Sequence, residues 1–173
     1  ESAQVHTYGS FACNLMIPGS DVDLYVETEL AKTKAAARRF IDLLHTLMDS
    51  NDVAFRKVES VADACVPIIK VQEKETGMLF DIHVGFSEEY DPRPATTFIS
   101  KKLAEKPALR PLCLVLKYYL QQCGLSVPHC GGLASYALFL MVLHFLQFHA
   151  MNRDGHIRRE MTLGRLLIEF LEL

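Results

Sequence analysis

The chain has 173 residues, half of them hydrophobic, enough to bury one sizeable core or two small ones, which excludes a disordered chain. Eighteen basic residues stand against 21 acidic ones, a formal net charge of −3, which excludes a protein that grips polyanions by charge alone. Five cysteines (Cys13, Cys65, Cys113, Cys123 and Cys130) form no Cys-x-x-Cys pair and lie mostly in apolar runs, so reduced, buried thiols in an intracellular protein are expected rather than a disulfide or zinc framework.

In chain order, Thr7-Tyr8-Gly9-Ser10 reads as a turn in which Gly9 lets the backbone approach an anion and Ser10 offers a hydroxyl to a phosphate oxygen. Residues 21 to 26 predict a strand, because Val22, Leu24 and Val26 alternate with Asp21, Asp23 and Tyr25. Asp21 and Asp23 then share one face. A helix is expected over about 33 to 49, with Phe40, Leu43, Leu44 and Leu47 as its apolar stripe and Arg38, Arg39 and Asp42 facing away. Three more strands are predicted at 53–58, 66–71 and 78–84, the last two joined as an antiparallel hairpin by Gln-Glu-Lys-Glu-Thr-Gly, ending at Gly77.

From Tyr90 the composition changes. Asp-Pro-Arg-Pro stops regular structure, and helices are expected over about 95–104, 108–123, 132–149 and 162–173. The fold class is therefore α+β: a mixed-sheet domain over 1–90, then a helical domain over 91–173, with room for substrate between them. The apolar run from Leu133 to Phe148 is broken by Ser135, His144 and Gln147, so it reads as a buried helix and not a membrane span, and no signal-peptide pattern opens the chain. Both ends read as cut: Glu1 is not a methionine, and Leu173 ends an apolar helical pattern without Gly, Asn or Pro.

A third acid, Asp81, stands in Leu79-Phe80-Asp81-Ile82-His83, again alternating with apolar neighbours. If its strand lies beside that of Asp21 and Asp23, three carboxylates converge and repel by several kcal/mol at low dielectric, so a neutralising cation is expected. Mg²⁺ is the usual ion for phosphate chemistry, with Mn²⁺ as an alternative. An isolated Asp-x-Asp reads more simply as an exposed strand edge. The order Gly-Ser, then Asp-x-Asp, then a lone strand Asp argues against that simpler reading.

The series Tyr8-Gly9-Ser10, Gly19-Ser20-Asp21-Val22-Asp23-Leu24, Pro67-Ile68-Ile69-Lys70 and Phe80-Asp81-Ile82 resembles the DNA polymerase β-type nucleotidyltransferase superfamily. The segments 112–120, Gly131-Gly132-Leu133-Ala134-Ser135-Tyr136 and Leu166-Leu167-Ile168-Glu169-Phe170 narrow the resemblance to template-independent RNA tailing enzymes: topoisomerase-related-function poly(A) polymerases and terminal uridylyltransferases. This resemblance implies a mixed-sheet nucleotidyltransferase domain, a helical central domain, and metal-dependent transfer of a nucleoside monophosphate to an RNA 3′-hydroxyl, with Asp21, Asp23 and Asp81 as metal ligands. It also implies that Gly9, Ser10, Thr96, Lys117, Gln121, Ser135 and Tyr136 bind the nucleotide: Lys117 on the triphosphate, Ser135 on phosphate, Tyr136 stacked on the base, and Thr96, with Thr97, at the ribose.

The residues of the helical half admit blander readings. Lys117 interrupts an apolar run and, alone, would snorkel to solvent, though Arg110, Lys117 and Gln121 share one helix face. Gln121 stands where the family often has a second lysine. Gly131-Gly132 suits either a tight turn or an anion at a helix start. Tyr136, alone, would be a packed core residue. His83 shares a strand face with Asp81 and borders the site at most; none of the histidines is assigned a catalytic role.

Ala95-Thr96, where uridylyl-transferring relatives carry Asn-Thr, favours ATP. The leading expectation is a poly(A) polymerase using ATP on RNA 3′ ends, placed in the nucleus, with a terminal uridylyltransferase as runner-up. The presence of all three carboxylates argues against an inactive RNA-binding scaffold, and the motifs of the helical half argue against a small-molecule nucleotidyltransferase. The pairs Arg38-Arg39, Lys101-Lys102 and Arg158-Arg159 read as solvated faces and not an RNA track, so RNA binding is expected to come from a separate RNA-binding protein partner or from a segment outside this chain.

Overall fold

A computed structural model of the chain describes residues 3–50, 53–62, 64–151 and 162–173. Arg158, Arg159 and Glu160 lie outside the described residues. Two compact units divide the chain, Glu1–Phe98 and Ile99–Leu173, so the division falls inside the first long helix of the C-terminal half, beyond residue 90.

The first unit is built on a five-stranded mixed sheet of order β1-β2-β5-β4-β3: β1 (Gln4–Tyr8), β2 (Val22–Glu27), β3 (Phe55–Val61), β4 (Ile68–Glu73) and β5 (Leu79–Val84). β2 and β5 are parallel and every other pair is antiparallel. One sheet face carries the apolar half of the period-two pattern. There Val26, Ile69, Val71, Ile82 and Val84 are buried against Ala37 and Ile41 of α2 (Lys34–Asp49). The cap of α2 is Thr33, whose side chain accepts from the Ala36 N–H at 3.2 Å.

The buried stripe of α2 differs from the sequence expectation. Ala37 and Ile41 are fully buried and Phe40, Leu44 and Met48 partly so, while Leu43 and Leu47 are 56% and 59% exposed. The small Ala37 lets the helix sit close to the sheet and sets its rotation, a choice that a stripe scored on large side chains misses. Arg38, Arg39 and Asp42 face solvent as expected.

The β4–β5 connection is the expected hairpin. The Glu73 carboxylate turns back to accept the N–H groups of Glu75 and Thr76, both at 2.7 Å, and Gly77 supplies φ +71. The Thr76 hydroxyl and these two amides hold the Glu73 pKa at about 2.

α3 (Arg93–Glu105) begins two residues earlier than expected. Proline is tolerated in a first helical turn, and the Asp91 carboxylate accepts the Arg93 N–H at 2.9 Å, so Asp-Pro-Arg-Pro opens the helix instead of stopping structure.

In the second unit, α4 (Leu109–Gln122) buries Leu109, Leu112, Cys113 and Leu116, and α6 (Leu163–Leu171) buries Leu166. α5 (Ser135–Met151) is only half buried, contrary to expectation: Leu138, Phe139, Val142, Leu143, Phe145 and Leu146 turn inward while Met141 and Phe148 are 51% and 58% exposed. No helix among the described residues is long and apolar enough to cross a membrane. None of the five cysteines is in a disulfide, but only Cys13 and Cys113 are buried, so the expectation of buried thiols fails for Cys65, Cys123 and Cys130. Burial pushes the Cys113 thiol up to about 12.

Candidate active site

The polar half of the same period-two pattern lies on the other sheet face. Strand register places Tyr8 opposite Asp23, Asp23 opposite Asp81, Asp81 opposite Lys70 and Lys70 opposite Glu59, a single row across all five strands. Neighbouring strands are about 4.8 Å apart, so Asp23 and Asp81 stand side by side on the two parallel strands. Asp21 is not itself in the strand, contrary to expectation; it directly precedes β2. It is delivered by a Pro18-Gly19 turn, closed by the Ser20 N–H donating to the Ile17 carbonyl at 3.0 Å, with Gly19 at φ +81. Asp21 and Asp81 line one cavity of about 210 Å³ together with Glu59, Lys70 and Gln72.

Gly9 begins the four-residue α1 (Gly9–Ala12) at φ +62. A Cβ at this position would stand 2.2 Å from Asp23 Oδ2, so the missing side chain is the space into which that carboxylate projects. The Gly9 N–H does not wait for an anion: it donates to Thr96 Oγ1 at 3.2 Å, and the Thr96 hydroxyl donates to the Pro92 carbonyl at 3.0 Å. Thr96 in this structure is thus a latch on the Gly-Ser turn. Thr97 likewise turns its hydroxyl back, onto the Arg93 carbonyl at 3.0 Å.

The latch is anchored by α3. Arg93 donates from Nε to both Asp91 oxygens (3.0 and 2.9 Å) and from Nη1 to Glu27 Oε2 (2.7 Å), and its guanidinium lies 4.8 Å from the Tyr25 ring centroid. The Arg93 hydrogen bonds hold the Asp91 carboxyl below its ordinary range. Beneath them, His83 is 2% exposed, packs edge-on against Tyr25 at 5.2 Å, and has no hydrogen-bond partner for Nε2. Burial pushes its imidazole below the usual value, with Asp91 opposing. His83 therefore packs beside the acidic row, next along the same sheet face.

Sequence reading missed three residues of this row, Tyr8, Lys70 and Glu59. Lys70 Nζ donates to Asp81 Oδ2 at 2.5 Å, with the Lys70 side chain 41% exposed and that of Asp81 17% exposed. The Tyr8 hydroxyl is pushed up by burial and then by the charges of Asp23 and Asp81, which places its ring in the field of both acids. The signal for Lys70 was present, since it alternates with Ile69 and Val71 as Asp81 does with Phe80 and Ile82.

Among the described residues, no three His, Cys, Asp or Glu side chains are gathered into a formed metal cage; Asp81 is held by Lys70 instead. The donors nevertheless fit a divalent cation. They are hard carboxylate oxygens on adjoining backbone, and the open side of Gly9 leaves room for the Asp23 carboxylate.

In the second unit, Lys117 and Gln121 are half-buried and one turn apart on α4. Ser135 and Tyr136 open α5, both exposed, so Tyr136 at 46% is not the packed core residue it would be by default. The anion reading of Gly131-Gly132 is not supported. The N–H groups of Gly131, Gly132 and Leu133 donate to the carbonyls of Pro128, Val127 and Leu125, and a Cβ on Gly132 would meet the Leu125 carbonyl oxygen at 2.6 Å. This pair makes the tight turn.

A mixed sheet with carboxylates side by side on two parallel strands, behind a glycine-opened turn, defines a nucleotidyltransferase palm. Residues 1–86 match the family model of the central palm domain of mitochondrial-like poly(A) RNA polymerase. Poly(A) RNA polymerase protein 2 of Saccharomyces cerevisiae is 35% identical over 171 residues, 99% of this chain and 28% of that protein. The inactive poly(A) RNA polymerase protein Trf4-2 of Drosophila melanogaster is 34% identical over 176 residues, 99% of this chain and 40% of that protein. The solved polymerase core of TRAMP, an RNA surveillance complex, superposes with a TM-score of 0.81 at 33% identity, covering 99% of this chain and 51% of that one. The chain belongs to the poly(A) RNA polymerase family of nucleotidyltransferases. It spans less than half the length of the curated relatives it matches.

Proposed function

We propose that the protein containing this chain adds AMP residues from ATP to RNA 3′ ends without a template. The observation that carries this reading is the register of Asp23 with Asp81 on parallel central strands, with Asp21 two residues upstream. Asp21 and Asp23 would hold the metal ion on the triphosphate side and, together with Asp81, the ion on the primer side. Mg²⁺, or Mn²⁺ in its place, supplies activation of the primer 3′-hydroxyl and charge neutralisation on the leaving pyrophosphate. The 3′ oxygen forms a bond to the α-phosphorus as the bond to pyrophosphate breaks.

Ser10 and Ser135 offer hydroxyls to phosphate oxygens, Lys117 and Gln121 take the outer phosphates, and Tyr136 stacks on the base. Thr96 acts chiefly by fixing the Gly9 backbone. With a net charge of −3, and Lys102 already engaged by Glu105 at 2.6 Å, RNA affinity comes largely from an RNA-binding protein partner. Similarity to the polymerase core of TRAMP, an RNA surveillance complex, supports a partner protein.

The test is incubation of the full-length protein with Mg²⁺, a short RNA and each NTP in turn, beside Asp81→Ala. Extension with ATP that is lost in the variant is expected. Extension with UTP alone would replace the reading with a uridylyltransferase, and no extension with any NTP would make the protein an inactive relative.

A further inference from the structure

The row across the sheet contains one cation between acids. Lys70 faces Asp81 across one strand pair and Glu59 across the other, and all three line the same cavity. Its ammonium donates to Asp81, one of the oxygen donors that a metal would need. A divalent cation arriving at Asp81 repels that ammonium and draws on the same carboxylate, which favours Lys70 moving away as the ion binds. Directly cross-strand side chains lie about 5 Å apart, and the four-carbon lysine stem reaches either neighbour. Glu59 is exposed and in register on the far side, a carboxylate placed to receive it.

We propose that Lys70 is a positioning residue that exchanges between two carboxylates, holding Asp81 before metal binds and passing to Glu59 when the ion takes its place. This rests on the reading of Asp81 as a metal ligand. Lys70 offsets one of the three carboxylate charges of the row before the ion arrives, and Glu59 lowers the cost of releasing it.

The test is Mn²⁺ titration of the full-length protein without nucleotide or RNA, followed by electron paramagnetic resonance. Lys70→Met removes the competitor and should tighten Mn²⁺ binding by about two- to fivefold, the range a half-exposed ion pair contributes. Glu59→Gln removes the receiving carboxylate and should weaken binding by a similar factor. In the Lys70→Met background Glu59→Gln should have no further effect, because Glu59 acts through Lys70.

Unchanged or weaker binding in Lys70→Met overturns the proposal, as does an equal loss from Glu59→Gln in both backgrounds, which would report only a change in the local field. Lys70→Gln serves as the second variant if the methionine substitution lowers the melting temperature. Asp81→Asn separates the two readings. If it leaves Mn²⁺ binding intact, or if the wild-type protein binds none, the metal assignment falls and this proposal with it; if it weakens binding while Lys70→Met does not tighten it, only the exchange is wrong.

Discussion

Gly9→Ala is expected to separate the cost of a strained backbone from the cost of a displaced ligand. A non-glycine residue held at φ +62 loses about 1–2 kcal/mol, which lowers the melting temperature of a protein this size by roughly 2–8 °C. The methyl group also arrives 2.2 Å from Asp23 Oδ2, whereas ordinary contact begins at 3.4 Å, so the carboxylate must withdraw by about 1 Å. Misplacement on that scale costs on the order of 10²-fold in rate.

Gly77→Ala is the control. Gly77 has φ +71, so the strain is comparable, but its Cβ meets nothing closer than Gln72 Nε2 at 3.8 Å. Both variants should lose stability alike, and only Gly9→Ala should lose AMP incorporation measured at saturating ATP well below its melting temperature. A Gly9→Ala enzyme with near wild-type turnover, or a Gly77→Ala enzyme equally slow, would refute the assignment of Gly9 to the Asp23 carboxylate.

Tyr136→Ala should raise the KM for ATP through a loss of about 1–3 kcal/mol, with Tyr136→Phe costing far less, as steady-state kinetics on the full-length protein would read. Arg93→Ala should lower the melting temperature, because it removes a bidentate carboxylate pair, a second carboxylate and a ring contact together; Arg93→Lys should recover only part. His83 should make stability pH-dependent. Its pKa is depressed by burial, so its contribution is complete above about 6.5, where it is neutral folded and unfolded, and is lost as pH falls through the lower folded value. Melting curves of wild type and His83→Phe should diverge on acidification, and parallel curves would contradict this.

The carboxylates were legible because period two is imposed by the sheet itself: a strand that turns Val22, Leu24 and Val26 toward the core must turn Asp23 the other way. β1 was not legible. It is an edge strand whose other neighbour is solvent, so Val5 stays 61% exposed and Gln4-Val5-His6-Thr7-Tyr8 shows no apolar face to detect. The Thr96–Gly9 latch joins residues 87 apart in sequence, and nothing local to either signals the other. Lys70 lay inside a motif already noted, yet its partner is fixed only by the β4–β5 register. The exposed side of α5 misled for a different reason, since composition reports how apolar a helix is and not how much of it the chain covers.

The two faces of the sheet explain how the acids are kept together. At the strand spacing of about 4.8 Å and an effective dielectric near 20, two neighbouring carboxylates repel by about 3 kcal/mol. Fully burying one Val or Ile contributes about 1.5–3 kcal/mol, and β2 and β5 bury Val22, Val26, Ile82 and Val84, so the apolar positions of the same two strands outweigh that repulsion. Relief by slipping one strand a single residue is blocked, because the slip would also carry those apolar side chains out to the polar face. Lys70 lowers what remains from within the row. The placement of Asp23 and Asp81 is thus enforced by the hydrophobic core and not by the groups they hold, which is why removing a single carboxylate should leave the fold standing while the chemistry is lost.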